Sequence, residues 1–223
     1  MRAVWQTLAA ILTLAPMLWL AASYAQLPDR VPVHWDLEGH PDRWAEKNFA
    51  SVFLLAAVSL QSQLLVGLLI WDAERQRERS TSQPMRQSLT TLLQMMQPMR
   101  FAAGCLFVVL AIGFQSAHAL GSLPSAALIA SVVLLLGAGF VGAYRVWRAQ
   151  LHYEESVATD APEFQASNYR FGLFYCNPAD ENLLVHKRLG IGFTINFAHR
   201  RALVYVAVTG LLAVSVIAGA LWI

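Results

Sequence analysis

The sequence predicts an all-α integral membrane protein with five transmembrane helices, an ordered loop on the outer side and a small cytoplasmic β-hairpin element. Three observations carry that expectation. The 223 residues are 57% hydrophobic and only 13% charged, against about 45–50% and about 25% in an ordinary soluble domain. Five runs, 5–25, 49–71, 101–120, 125–144 and 202–223, contain no Asp, Glu, Lys or Arg. Each is long enough to cross a hydrocarbon core about 30 Å thick as a helix, the conformation that pairs every backbone group within one segment. The basic residues are also unevenly divided. With the N-terminus in the cytoplasm, thirteen of the sixteen Lys and Arg fall on the inner side and only Arg30, Arg43 and Lys47 on the outer side, the bias expected of a bacterial inner-membrane protein.

Taken in order, residues 1–71 form the first two spans and enclose an outer loop, 26–48. The first apolar run, 4–22, exceeds the 7–15 residues of a signal-peptide core, so it reads as an uncleaved anchor although Ser23-Tyr24-Ala25 resembles a cleavage site. Residues 72–100 form a cytoplasmic linker. Its start, Asp72 to Arg79, has the mixed signs of a solvated helical extension, and Leu89, Leu92, Leu93 and Met96 recur at helical spacing. That second stretch predicts a helix lying on the inner leaflet or packed on a neighbour, where it could also bind a partner. Residues 101–147 form a helical hairpin of spans three and four, turning near Gly121 and Pro124. Gly137, Gly139 and Gly142 give the fourth span a small-residue face for close packing. Ser59, Gln61, Ser62 and Gln63 in span two, and Gln115 with His118 in span three, predict hydrogen bonds between helices or a polar lining. Residues 148–200 form a second cytoplasmic segment with a hairpin over 168–197, and 201–223 the fifth span, leaving the C-terminus outside.

Pro28, Pro32 and Pro41 deny the outer loop a regular helix, Val31 to Trp35 alternates like a strand, and Gly39-His40-Pro41-Asp42 reads as a turn. The residues that mark it as a ligand-binding surface are His34, Trp35, Asp36, Gly39, His40, Asp42 and Trp44, the two tryptophans also suiting a bilayer interface. His34, Asp36, His40 and Asp42, with Glu38 among them, combine imidazole and carboxylate, the donor set of zinc or another divalent metal. The same side chains equally serve as turn caps, head-group contacts and partners of Arg30 and Arg43. No other cofactor is expected.

The pattern Leu27-Pro28-Asp29-Arg30-Val31-Pro32, then His34-Trp35-Asp36, Gly39 and Pro41-Asp42, directly after a first span, resembles the N-terminal domain of the SdpI-like family of bacterial integral membrane proteins. The resemblance implies a peptide-responsive membrane protein. Its role would be immunity to a secreted antimicrobial peptide, or signalling through a repressor held at the membrane.

On the inner side, Phe171 to Cys176 and Leu183 to Val185 are strand-like and Asn177-Pro178-Ala179-Asp180 is a turn sequence. The candidate residues there are Asn177, Asp180, Lys187, Arg188, Gly190, Gly192 and Asn196. Lys187 and Arg188 beside Gly190-Ile191-Gly192 would hold an anionic head group or phosphate through charge and backbone N–H groups. The run Gly172 to Asp180 followed by Val185 to Asn196 resembles a second small domain of unknown function that accompanies the SdpI-like loop in bacterial proteins.

Charge and motif content narrow the function. A net charge of +2 with dispersed arginines gives no nucleic-acid footprint. No His-Glu-x-x-His, Gly-x-Ser-x-Gly or P-loop sequence occurs, and no ionisable residue lies at mid-membrane depth. The expectation is a non-enzymatic recognition, immunity or signalling protein that meets lipid, an envelope-active peptide or envelope component outside, and a regulator protein inside. Two other readings stand beside it: a metal-dependent membrane enzyme built on the outer His/Asp cluster, and a structural subunit of a membrane complex.

Overall fold

The computed structural model describes residues 2–36, 38–116, 125–156 and 161–222. It is mostly helical, 71%, with five helices long and apolar enough to cross a membrane. These are α1 (Arg2–Ser23), α2 (Phe49–Arg79), α3 (Gln83–Ser116), α4 (Ser125–Ser156) and α5 (Arg200–Trp222). The strands go beyond the single hairpin expected. Three antiparallel pairs form: β1 (Arg30–Trp35) with β2 (Pro41–Glu46), β3 (Tyr169–Arg170) with β4 (Phe174–Tyr175), and β5 (Leu184–His186) with β6 (Phe193–Ile195). The expected turn at Gly121 and Pro124, His118 and the Gln115 side chain lie outside the described residues.

The chain forms two compact units. The first comprises Met1–Leu64, Pro98–Gly137 and Gly210–Ile223. Its hairpin β1–β2 stands on a cluster of Leu20, Leu27, Val31, Val52 and Ala111, against which Tyr24, Val33, Trp35 and Phe53 pack. Between the helices of this unit, Gln61 donates to Ser215 Oγ at 3.1 Å. Gln63, 4% exposed, accepts from Arg100 Nε at 2.8 Å and donates to the Arg100 carbonyl at 3.1 Å. These are the interhelical bonds that the mid-span glutamines predict. A Cβ placed on Gly104 would lie 3.0 Å from Leu12 Cβ, so α1 and α3 approach closely there.

The second unit comprises Leu65–Gln97 and Ala138–Thr209. Its core is Ile70, Ala73, Met85, Leu89, Leu93, Met96, Tyr153 and Leu184, flanked by Phe164, Phe193 and Ile195. Of the two placements expected for the stretch over 85–99, on the inner leaflet or packed on a neighbour, the structure shows the second. That stretch is continuous with span three, α3 running through Pro98, and its Leu89, Leu93 and Met96 fill the core. Each such side chain contributes about 1.5–3 kcal/mol when withdrawn from water. That gain favours covering this apolar stripe, and α2 and α4 are what cover it. The extension of α2 is helical to Arg79, but it is not solvated all round as its charge pattern suggests: Asp72, Ala73 and Gln76 are buried. Of the small-residue face on α4, Gly142 is a close contact: an added Cβ would meet Met95 Cγ at 2.0 Å, whereas one on Gly137 would meet nothing within 4 Å.

The hairpin expected over 168–197 is replaced by two. Phe171 is not in a strand: with φ +53 and Gly172 at φ +72 it forms the turn between β3 and β4. The segment Asn177 to Asp180 does turn, Asp180 N–H donating to the Asn177 carbonyl at 3.3 Å. However, it leads into β5, which pairs with β6 and not with β4.

Two glutamines complete the short β5–β6 sheet. Leu184 faces Ile195 in register, while its own N–H and C=O go to the side-chain amide of Gln76, at 2.9 and 2.6 Å. At the loop end, Gln150 donates to the Gly190 carbonyl at 2.9 Å and accepts from Gly192 N–H at 2.6 Å. Both glutamines are buried, 8% and 5% exposed. A primary amide presents one donor beside one acceptor, the same pair that a neighbouring strand residue would offer. Replacing Gln76 with Ala strands two buried backbone groups, at about 1–3 kcal/mol each. We expect Gln76→Ala to lower the unfolding temperature in detergent by about 5–10 °C for a chain of this size, and Gln94→Ala, at an exposed helix position, to leave it within a degree or two.

Candidate functional site

Two polar regions stand out, one in each unit. In the first, Asp36 ends β1 and organises the hairpin tip. Its carboxylate accepts from the N–H groups of Glu38 and His40 at 2.9 and 2.8 Å, and Gly39 adopts φ +87. The backbone hydrogen bond from His40, followed by those from Glu38 and Gly39, holds the Asp36 carboxyl below its ordinary range. Glu38 to His40 therefore turn back on Asp36 and β2 begins at Pro41, so Pro41 and Asp42, expected in the turn, belong to the strand. An Asx turn at Asp36 has the same composition as the turn expected around Gly39-Pro41, and composition alone does not fix its position.

The four expected metal donors separate into two pairs. His34 Nδ1 bonds Asp42 Oδ1 at 2.6 Å. His40 Nδ1 lies 3.8 Å from Asp36 Oδ2 and 3.9 Å from Glu38 Oε2. Asp36, Glu38 and His40 each offer an atom within 4.8 Å of the others, a set of one imidazole and two carboxylates that suits a divalent cation. Trp35 packs on the cluster below rather than projecting from the tip, its indole nitrogen buried without a partner among the described residues.

In the second unit, Asn196 is fully buried and uses its whole hydrogen-bonding capacity. It donates to the carbonyls of Asn177 and Asp180 at 2.8 and 3.1 Å and accepts from Asn177 and Ala198 N–H at 3.1 and 3.2 Å. Asp180 accepts from Tyr175 Oη at 2.8 Å and from Asn182 N–H at 2.9 Å. Burial raises the Tyr175 hydroxyl above its ordinary pKa, and the bond to Asp180 adds to that. Gly192 gives its N–H to Gln150. Arg188 lies over the Tyr169 ring, 5.5 Å from its centroid. Of the residues expected to meet an anion, Asn177, Asp180, Gly192 and Asn196 are thus engaged within the fold, and Lys187 is exposed to solvent.

Beside this scaffold lies a polar cleft of about 570 Å³ that sequence reasoning missed; Asp72, Arg75, Arg79, Glu181, Arg200 and Arg201 are among its lining residues. Asp72 is 5% exposed. It accepts hydrogen bonds from Arg201 and from Tyr205 Oη, the latter at 2.6 Å. The guanidiniums of Arg75 and Arg201 lie 5.3 and 4.8 Å from the Trp71 ring centroid. Asp72 and Arg201 are 129 positions apart, and no local pattern in a single sequence links them.

Comparison with known families adds two partial matches. Residues 11–60 match a domain of unknown function (DUF1648), and residues 178–203 match a family of unknown function (DUF5808). The first covers the hairpin β1–β2, the second the turn, Asn196 and the start of α5. No curated protein matches the chain, and no solved structure does.

His186 is the other residue of note. It is wholly buried, stacked on Tyr153 at 3.9 Å between centroids and 4.3 Å from Phe193, with neither ring nitrogen partnered among the described residues. Desolvation lowers its pKa from 6.5 to about 4. Below pH 6.5 the unfolded chain binds a proton that the folded chain refuses, so stability falls as pH drops from about 6.5 to about 4 and then levels off. The loss amounts to about 3 kcal/mol. We expect His186→Phe, which keeps the aromatic stack, to flatten this part of the unfolding-temperature profile between pH 7 and 4.5. An unchanged slope would remove His186 as its source.

Proposed function

We propose that this chain is a non-enzymatic protein of the bacterial cytoplasmic membrane that recognises, or confers immunity to, an envelope-active peptide, or signals its presence. Its N-terminus would lie in the cytoplasm and its C-terminus outside, with lipid around the five helices and a regulator protein as the inner partner. The observation that carries this reading is the hairpin β1–β2. Its apolar base is anchored by Val31, fully buried, while His34, Asp36, His40 and Asp42 form a pre-organised polar tip. Rigid presentation of charged and imidazole groups suits recognition, because little ordering entropy is lost on binding. The resemblance of this segment to the SdpI-like loop supports the same reading.

The test separates the tip from the fold. Cells carrying His34→Ala, Asp36→Ala, His40→Ala and Asp42→Ala together, with the Val31 base intact, are expected to become as sensitive to envelope-active peptides as cells lacking residues 30–44. Sensitivity equal to that of wild type in both strains would overturn the proposal.

A second reading rests on the convergence of Asp36, Glu38 and His40: the tip binds a divalent metal, as part of recognition or of a metal-dependent reaction. Titrating the purified protein with Zn²⁺ is then expected to give saturable heat that Asp36→Ala with His40→Ala abolishes. Heat without saturation, or saturation that survives both substitutions, would contradict it.

A further inference from the structure

We propose that the cleft beside α2 and α5 is a binding site for a phosphate group, formed by Arg75, Arg79 and Arg200. The argument begins with which charges in the cleft are already neutralised. Asp72 is held by Arg201 and Tyr205, and Asp180 by Tyr175 and Asn182. Neither carboxylate needs a cation from the rim, and Arg201 is committed to Asp72. Arg79 and Arg200 are exposed and form no ion pair among the described residues, and Arg75 has only the Trp71 ring. Three guanidiniums thus remain against the one exposed carboxylate of Glu181.

The geometry around this excess positive charge suits an anion. The cleft, about 570 Å³, falls within the range of about 300–1,000 Å³ typical of ligand pockets. α5 begins at Arg200, so the positive end of its dipole lies at the cleft. Guanidinium forks match phosphate oxygens two at a time, which a lysine ammonium does not. The Trp71 ring fixes the direction of Arg75, reducing the rotamer entropy lost on binding. The lining segment Pro178 to Asp180 is tied down by Asn196, which bonds the Asn177 and Asp180 backbone. By contrast, the Gly190–Gly192 loop cannot offer its Gly192 N–H, which Gln150 takes.

A phosphate could come from a lipid head group or from a soluble phosphate compound, and the test has an arm for each. In the first, the unfolding temperature of the full-length protein in detergent is followed against inorganic pyrophosphate, with ionic strength held constant by NaCl. In the second, native mass spectrometry follows retained phosphatidylglycerol on protein extracted from nanodiscs of phosphatidylcholine and phosphatidylglycerol. Arg79→Gln with Arg200→Gln, both on the exposed rim, should leave the ligand-free unfolding temperature unchanged. The proposal expects at least tenfold weaker pyrophosphate binding, or loss of the retained phosphatidylglycerol, in that variant; a response in one arm alone identifies the source. If wild type and variant behave alike in both arms, or if neither probe binds wild type, the proposal is overturned.

Discussion

The constraint on which the rest of this structure depends is that a backbone N–H or C=O withdrawn from water must be paired. In the five apolar helices the chain meets it locally, each helix closing its own ladder. In the second unit the chain cannot, because β5 and β6 form a two-stranded sheet with a free edge against a helical core. Gln76 and Gln150 meet the requirement there, the first in place of a missing strand at Leu184 and the second by pairing Gly190 and Gly192 in the loop between β5 and β6. The price of a helical support under so small a sheet is that its edge is polar, and two buried glutamines are what make it compatible with Leu89, Met96 and Tyr153.

The same logic arranges the polar interior around that core. Asn196 with its four bonds, Asp72 between Arg201 and Tyr205, and Asp180 between Tyr175 and Asn182 are each closed sets. His186 is an exception, and desolvation keeps it neutral, no partner for either ring nitrogen standing among the described residues. Closed sets hold the cleft walls still while leaving the rim arginines uncommitted, which separates the residues that build the fold from those free to act.

The five helices were legible in the sequence because hydrocarbon imposes a long, uncharged stretch that needs no partner to be recognised. The outer hairpin was partly legible: the prolines and the alternation from Val31 to Trp35 exclude helix, but β2, with Pro41 at its start and Asp42 and Arg43 within it, has no strand-like alternation. The continuity of α3 was hidden because an uncharged run begins only after Arg100, whereas the helix passes through Pro98 and Arg100 without a break. At the inner sites, residue types alone do not separate groups that bond within the fold from groups that face outward. Asn196 and Gly192 look like ligand-binding groups in a Gly-rich polar run, but their polar atoms are used within the fold. Contacts such as Gln76 with Leu184 and Arg201 with Asp72 join positions more than a hundred residues apart, where a single sequence offers no spacing to read.

Amide hydrogen exchange on the full-length protein tests the role of the glutamines most directly. If Gln76 and Gln150 pair these backbone groups, the N–H groups of Leu184 and Gly192 exchange slowly in wild type. Each then becomes fast in the corresponding Gln→Ala variant, while Val185 in Gln76→Ala and Ala102 in both variants stay protected. Fast exchange at Leu184 and Gly192 in the wild-type protein would contradict the account.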